Sequence, residues 1–152
     1  MLDEYLGHDQ KHGFLSVISG ELPLEKAIVH DDTIKADILY GEQSSINAAD
    51  LFSSNTFAEF INGLREHYDH IIIDTPPVLA VPDARVIGQL VDAVIYTVRW
   101  DSTSHRQVLD GLKSLDRVNV RVSGLVLGQI DGNKMKRYGY ADSYGDYSSY
   151  YQ

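Results

Sequence analysis

The chain contains no cysteine, and this absence limits what it can be. Without cysteine there is no disulfide framework and no thiol nucleophile, and the composition fits a reducing compartment. No apolar run approaches the roughly 20 residues of a membrane span, and no signal peptide is visible. Basic residues are also scarce, with 13 Lys and Arg against 22 Asp and Glu and a net charge of −9. This balance argues against nucleic acid as a partner, because binding phosphates requires clustered basic side chains.

Tyrosine is abundant at the carboxyl terminus. Six of the ten tyrosines lie in the last fifteen residues, separated almost entirely by Gly, Ser, Asp and Ala. Their rings have no apolar partners at period 2 or 3.6, so this segment cannot build a core. The pattern indicates either a solvated tail whose hydroxyls are used or a low-complexity linker. The six residues are Tyr138, Tyr140, Tyr144, Tyr147, Tyr150 and Tyr151.

A short basic cluster precedes the tyrosines and marks a boundary. It consists of Lys134, Lys136 and Arg137. We interpret it as a solvated hinge, with a local anion or membrane-surface contact as the alternative. The predicted organisation is one α/β domain over residues 1–133 and a basic hinge with a flexible tyrosine-rich tail over 134–152. The length and the 43% hydrophobic content are sufficient for one folded core.

The middle of the chain alternates between helix and strand patterns. Thr56 to Glu59 has the spacing of a capping box, and apolar residues at helical spacing follow it as far as Tyr68. The run Ile71–Ile73 is typical of a strand buried on both faces of a parallel sheet. Pro82 and Asp83 predict the start of a helix, with Asp83 as its N-cap.

The same alternation continues downstream. Ala93–Val98 and Val122–Leu127 are predicted as two further buried strands. Ser102, Thr103 or Ser104 can cap the helix between them, whose inner stripe is Val108, Leu112 and Leu115. This alternation of three strands with two helices predicts an α/β fold, with helices flanking a parallel sheet.

The first fifty residues are less regular. Phe14–Ile18 and Leu24–Val29 are predicted as short helices, and Ala36–Tyr40 as a strand. Ser44–Asn47 is predicted as a loop.

Asp74 is the candidate site residue that follows from position alone. It stands at the carboxyl end of the predicted strand Ile71–Ile73, where ligands bind in parallel sheets. A carboxylate there can hold a Mg²⁺-bound water beside nucleotide phosphates, as a Walker B aspartate does. The alternative is an aspartate that serves only the turn.

The segment around Asp74 resembles a known family. Tyr-Asp-His-Ile-Ile-Ile-Asp-Thr-Pro-Pro-Val-Leu at 68–79 resembles the Walker B segment of bacterial tyrosine kinases, the cytoplasmic modules of exopolysaccharide and capsule chain-length regulators. Asp83-Ala84, Val98-Arg99 and the segment 13–21 fit the same family, so the resemblance covers nearly the whole chain. The tyrosine-rich tail resembles its autophosphorylation cluster.

The resemblance implies a fold and an activity. The fold is that of a P-loop NTPase, present here in part, over residues 1–133. The activity is transfer of the γ-phosphoryl group of ATP to the six tail tyrosines, with Asp74 as a catalytic residue that helps to hold Mg²⁺ through water. The implied partners are neighbouring kinase subunits in a homo-oligomeric ring and a membrane-embedded chain-length regulator domain, in cis or in trans. The implied location is the cytoplasmic face of the plasma membrane.

The sequence also departs from the family. Nowhere does it contain G-x-x-x-x-G-K-[ST], the loop whose amides and lysine hold nucleotide phosphates. We therefore predict that this chain is the C-terminal part of such a kinase, binds neither ATP nor Mg²⁺ tightly, and is inactive alone. Gly128 stands where the family usually has an asparagine near the adenine. Two alternatives stay open, a non-catalytic phospho-acceptor or assembly module and a fragment of a partition or septum-positioning ATPase.

Overall fold

The computed structural model describes residues 13–42 and 48–135. The loop predicted at Ser44–Asn47 and the six tail tyrosines lie outside the described residues. The chain divides into two compact units, Met1–Asp74 and Thr75–Gln152.

The first unit combines short helices with one β-hairpin. Its helices are α1 (Phe14–Ile18), α2 (Leu24–Ala27), α3 (Ala48–Phe52) and α4 (Asn55–Arg65), and its strands are β1 (Val29–Asp31) and β2 (Ala36–Ile38). Between α2 and α3, β1 pairs antiparallel with β2. The helix predicted over Leu24–Val29 is therefore too long, because its last residue begins a strand.

The hairpin is closed by local hydrogen bonds at its turn. The Asp31 carboxylate accepts from the backbone N–H of Thr33 at 2.8 Å and of Ile34 at 3.1 Å. Lys35 takes a left-handed φ of 53° next to β2. An aspartate that bonds to the backbone two and three residues ahead is a common way to form a tight turn.

The core of the first unit is aromatic and gathers all four phenylalanines of the chain. The Phe14 ring centroid lies 5.9 Å from that of Phe52, 5.7 Å from Phe57 and 5.6 Å from Phe60. Phe57 and Ile61 are buried on the inner face of α4. The Phe14–Phe52 pair is stacked and the other two are edge-to-face, and aromatic pairs of both kinds stabilise a core beyond their buried area. The phenylalanines thus hold α1, α3 and α4 together.

Helix α4 begins earlier than its sequence pattern predicts. The Ser54 hydroxyl accepts from the Phe57 N–H at 3.2 Å, and Ser54 itself is extended. The capping box predicted at Thr56 is wrong, because Ser54 already satisfies the free amide and Thr56 lies inside the helix.

The strand predicted at Ile71–Ile73 is also wrong. Residues 71–77 belong to no strand, and Ile72 is 93% exposed. A strand needs a neighbouring strand to accept its backbone hydrogen bonds, and the described residues supply none to this run.

The second unit contains the parallel pair. Its elements are α5 (Asp83–Ile87), β3 (Ile95–Arg99), α6 (His105–Asp116), β4 (Gly124–Gly128) and α7 (Gly132–Met135). β3 and β4 pair in parallel, from Ile95 opposite Gly124 to Arg99 opposite Gly128, and α6 forms the crossover. The predicted α/β class with a parallel sheet is confirmed, although both strands begin two residues later than predicted.

Local signals define helix α6. Ser104 and Gln107 form a complete capping box, which selects one of the three predicted caps. The predicted inner stripe is confirmed, with Leu115 only 2% exposed. By contrast, Asp83 is not an N-cap, since Pro82 occupies that position and no side chain caps α5.

The two strands are not buried on both faces, which corrects the sequence prediction. Ile95 is 57% exposed and Val126 is 48% exposed. Apolar runs predict burial because parallel sheets normally carry a helix layer on each face. Part of this pair lacks such a layer among the described residues.

Candidate functional site

Asp74 lies within the irregular segment, residues 71–77, that replaces the predicted strand. Its side chain is exposed. The described residues contain no group of three or more His, Asp or Glu side chains placed to share a metal ion. The assignment of Asp74 to catalysis and to water-mediated Mg²⁺ binding stays a prediction. Because a water-mediated contact needs only one protein carboxylate, an isolated aspartate fits the proposed role.

The carboxyl edge of β3 and β4 has the features of a ligand-binding edge. The backbone N–H of Trp100 donates to the Gly128 carbonyl at 3.0 Å, which extends the pairing past the end of β3. Asp101 and Gln129, directly beyond this last pair, have φ angles of 55° and 57°. Non-glycine residues with left-handed backbone dihedrals are uncommon, and they concentrate at functional sites. Sequence reasoning placed only Gly128 here, through the family resemblance, although ligands bind beyond the carboxyl ends of parallel strands.

Charged groups surround that edge. The Lys134 ammonium lies 3.8 Å from the Asp101 carboxylate, and the Lys134 N–H donates to the Asp131 carboxylate at 3.3 Å. Lys134, predicted to begin the hinge, thus lies in the short helix α7. These contacts are exposed and each contributes little to stability. They nevertheless place one cation and two carboxylates beside the strand ends.

Gly128 closes β4 at the same edge. A Cβ atom placed on it would meet no atom within 4 Å, and its φ is not left-handed. The position could therefore hold a side chain without strain. The glycine leaves no side chain there to contact a base, as the sequence indicated.

The first unit contains a polar cluster that sequence reasoning missed. The Asp37 carboxylate lies 2.7 Å from His30 Nδ1 and accepts from the Tyr68 hydroxyl at 2.9 Å. The hydrogen bond to Asp37 raises the pKa of His30. The hydrogen bond to His30, and then that to Tyr68, lowers the pKa of Asp37. Burial, and then its bond to Asp37, raises the pKa of Tyr68. These two contacts connect the hairpin to the segment after α4.

Known relatives of the chain are kinases. It is 31% identical over 147 residues to EpsB of Ralstonia nicotianae, which carries a tyrosine-protein kinase name, and this match covers 96% of the chain. It is 31% identical over 129 residues to the tyrosine-protein kinase ptk of Acinetobacter johnsonii, a match that covers 85% of the chain. No protein-family model matches the sequence.

Solved structures agree with the sequence relatives. The VpsO kinase domain superposes with a TM-score of 0.78 at 32% identity, over 86% of this chain and 64% of that one. The kinase domain of the Escherichia coli tyrosine kinase ETK superposes with a TM-score of 0.77 at 26% identity, over 85% of this chain and 51% of that one. The chain is a homologue of bacterial tyrosine kinases. The family resemblance inferred from the Asp74 segment is thus confirmed, and so is the kinase-domain fold.

This kinase homologue matches only part of each relative. It spans 19% of the length of EpsB and 18% of the length of ptk. Among the described residues, no helix has the length and apolar character needed to cross a membrane. The predicted phospho-acceptors lie in the segment that the structure does not describe, so their role stays a prediction.

Proposed function

We propose that this chain is part of a bacterial protein-tyrosine kinase that transfers the γ-phosphoryl group of ATP to tyrosines of its own carboxyl-terminal tail and regulates exopolysaccharide synthesis and export. One observation carries the proposal, the superposition of 86% of the chain on the VpsO kinase domain at 32% identity. A match of this extent supports a shared kinase ancestry more strongly than the Asp74 motif alone.

Asp74 has a limited role in this proposal. Phosphoryl transfer depends on positioning and on stabilising charge around the phosphates, which requires a phosphate-binding loop as well as Mg²⁺. Asp74 would hold a water of the Mg²⁺ coordination shell, and Mg²⁺ would neutralise charge that develops on the phosphates. The sequence has no G-x-x-x-x-G-K-[ST] loop, so the residues that hold the β- and γ-phosphates must come from elsewhere.

The tail tyrosines are the proposed acceptors, Tyr138, Tyr140, Tyr144, Tyr147, Tyr150 and Tyr151. Each phosphate adds roughly −1.5 to −2 charges. Six would add about −9 to −12 to a chain whose net charge is −9. Like-charge repulsion would then release the tail from a neighbouring active site and weaken a ring of subunits. The proposed partners are accordingly other kinase subunits and a membrane-embedded chain-length regulator domain, which would hold the chain at the cytoplasmic face of the membrane.

The acceptor role can be tested with an intact relative. Incubation of the full chain with the ETK kinase domain, Mg²⁺ and ATP should place phosphate on the tail cluster, as mapped by mass spectrometry. A variant with all six tail tyrosines changed to Phe should lose the modification. Phosphate on Tyr40, Tyr68 or Tyr96 in place of the tail would show that the acceptor assignment is wrong.

A second candidate is a phospho-acceptor or assembly module without catalytic activity of its own. The missing phosphate-binding loop favours it for the chain by itself. Isothermal titration calorimetry separates the two candidates. We expect the isolated chain to bind MgATP weakly or not at all and to incorporate no phosphate. Micromolar binding that depends on Mg²⁺ would instead support catalysis by this chain alone. The relatives and solved structures named above are tyrosine kinases, and none of them is a partition or septum-positioning ATPase.

A further inference from the structure

Asp74 ends a stretch of chain that has little support of its own. Within the described part of the chain, positions 69–76 make no hydrogen bond through backbone or side chain. Ile71 and Ile73 are half-buried, whereas the Asp74 side chain is exposed, as in an extended chain whose side chains alternate. Burial of the two isoleucines does not fix the stretch along its length, because apolar contacts are not directional. We call residues 69–74 the Asp74 arm.

Tyr68 is the last hydrogen-bonded residue before the Asp74 arm. Its backbone N–H donates to the Leu64 carbonyl in α4 at 3.0 Å. Its hydroxyl donates to the Asp37 carboxylate on β2 at 2.9 Å. The start of the arm is therefore fixed to the end of one helix and to one strand of the hairpin. Since no further hydrogen bond holds the arm within the described residues, we expect the position of Asp74 to follow that of Tyr68.

His30 holds the carboxylate that holds Tyr68. His30 on β1 lies directly opposite Asp37 on β2, so the two side chains share a face of the hairpin. His30 Nδ1 lies 2.7 Å from Asp37 Oδ1, whereas the Tyr68 hydroxyl bonds to Asp37 Oδ2. The two partners do not compete, because each takes a different oxygen. A protonated His30 makes its bond charge-assisted and orients the carboxylate more firmly.

We propose that the polar cluster positions Asp74: Tyr68, held by Asp37, fixes the start of the Asp74 arm, and protonation of His30 tightens this hold. Tyr68 is thus a positioning residue that acts through the arm. The catalytic meaning of the device rests on the proposed function, because the role of Asp74 in holding Mg²⁺ is part of it. The order of the arm does not depend on that role.

The polar cluster should respond to pH in a defined direction. The hydrogen bond to Asp37 raises the pKa of His30 from 6.5, so the contribution of His30 is complete below pH 6.5 and is lost as the pH rises through the raised pKa. The hydrogen bonds to His30 and Tyr68 lower the pKa of Asp37 from 3.8, so its contribution is complete above pH 3.8. The arm should be held best between these two values. The other charged groups that act on the cluster are carboxylates, which favour a protonated histidine: Asp31 and Asp32 at the turn, and Glu25 on α2.

Nuclear magnetic resonance of the full chain, labelled with ¹⁵N and ¹³C, tests the proposal. Tyr68→Phe removes only the hydroxyl and keeps the ring. It should lower the heteronuclear NOE of the amides in the Asp74 arm and shift the ¹³C signal of the Asp74 carboxylate. Hydrogen-exchange protection of the Tyr68 amide should fall about fivefold, the size expected for one net hydrogen bond. Asp37→Ala should have the same effects.

Two variants separate the bond to Tyr68 from the general charge of the hairpin. Asp32 also faces His30, with its carboxylate 3.7 Å from Nε2, but the Tyr68 hydroxyl bonds to Asp37. Asp32→Ala is therefore the matched control and should leave the Asp74 arm unchanged. Asp37→Asn keeps an oxygen that can accept from Tyr68 and loses the charge. It should keep most of the order of the arm and remove its dependence on pH.

A pH titration of the parent needs no substitution. Between about pH 5 and about pH 8, the Asp74 carboxylate signal should shift together with the titration of the His30 ring, and this shift should disappear in Tyr68→Phe. An arm that is unchanged in Tyr68→Phe would overturn the proposal, as would an equal effect of Asp32→Ala. If circular dichroism shows that a variant has lost its fold, the titration of the parent decides alone, and an Asp74 signal that ignores His30 overturns the proposal.

The result is separable from the proposed function, because these measurements use neither nucleotide nor partner. If the ETK kinase domain modifies the tail but the Asp74 arm ignores the polar cluster, only this inference fails. If the arm responds but the tail is not modified, the positioning stands and the proposed function fails.

Discussion

Replacement of Gly111 by Ala should destabilise the second unit, although alanine is the better helix former. Gly111 is buried on α6 and faces Tyr96 of β3. A Cβ at this position would overlap the Tyr96 hydroxyl and lie 2.9 Å from Tyr96 Cζ and 3.1 Å from Val78 Cγ1. Real Cβ atoms do not approach other heavy atoms as closely as this one would approach Tyr96, so the Tyr96 side chain, β3 or α6 must move.

Two opposing effects set the magnitude. Changing glycine to alanine inside a helix gains about 1 kcal/mol in intrinsic helix propensity. Overpacking of a well-packed site costs about 1–3 kcal/mol. The Tyr96 side chain is half-buried, and burial raises the pKa of its hydroxyl. The difference is a net loss of about 0–2 kcal/mol, and we expect the upper part of that range because the overlap involves both the ring and the hydroxyl.

Urea unfolding followed by circular dichroism tests this expectation. Gly63→Ala is the matched control, because Gly63 also lies inside a helix but a Cβ there meets nothing within 4 Å. The control should stabilise the protein by about 0.5–1 kcal/mol. Adding Tyr96→Phe to Gly111→Ala should recover part of the loss, because it removes the overlapping hydroxyl. If Gly111→Ala stabilises as much as Gly63→Ala, the steric reasoning is wrong.

Three further predictions concern the polar cluster, the cap of α6 and the strand end. Asp37→Asn should lower the pKa of His30, measured by NMR titration, because the hydrogen bond to Asp37 raises that pKa above 6.5. The contact therefore stabilises the hairpin fully below the unfolded-state pKa of His30, and this contribution should disappear as the pH rises through the folded-state pKa. Ser104→Ala should cost about 0.5–2 kcal/mol in urea unfolding by removing the capping box, whereas Ser102→Ala should change stability little. Gly128→Asn should change the free energy of unfolding by no more than about 0.5 kcal/mol, because a side chain at this position has open space. A larger loss of stability would contradict the open space at Gly128.

Sequence reasoning succeeded where a structure depends on neighbouring residues. The Ser104 cap and the inner stripe of α6 were predicted because a helix is specified by contacts three and four residues apart. The prediction of a cap at Thr56 failed, although capping also depends on residues only a few positions apart. Ser54 and Thr56 both carry a hydroxyl that could cap α4. The backbone is extended at Ser54 and helical from Asn55, and the sequence does not show at which residue this change occurs.

The strands show where local pattern reasoning ends. Ile71–Ile73 and Ala93–Val98 look alike as apolar runs, yet only the second pairs with another strand. Pairing depends on a partner far along the chain, and burial depends on a helix layer that another segment must provide. An apolar run indicates only that burial of those side chains would stabilise the fold. Whether that burial is achieved depends on the rest of the domain.

In the candidate sites too, local motifs could be predicted from the sequence and contacts between distant residues could not. Asp74 could be predicted because its neighbours resemble a known motif, and the kinship with kinases is confirmed. The cluster of His30, Asp37 and Tyr68 could not be predicted, because Tyr68 and Asp37 are 31 residues apart and no motif connects them. The positive φ angles at Asp101 and Gln129 likewise follow from the geometry of the sheet edge. A carboxylate on a recognisable motif predicts a chemistry, whereas catalysis also requires phosphate-binding groups around it. The sequence contains no G-x-x-x-x-G-K-[ST] loop that could supply those groups beside Asp74.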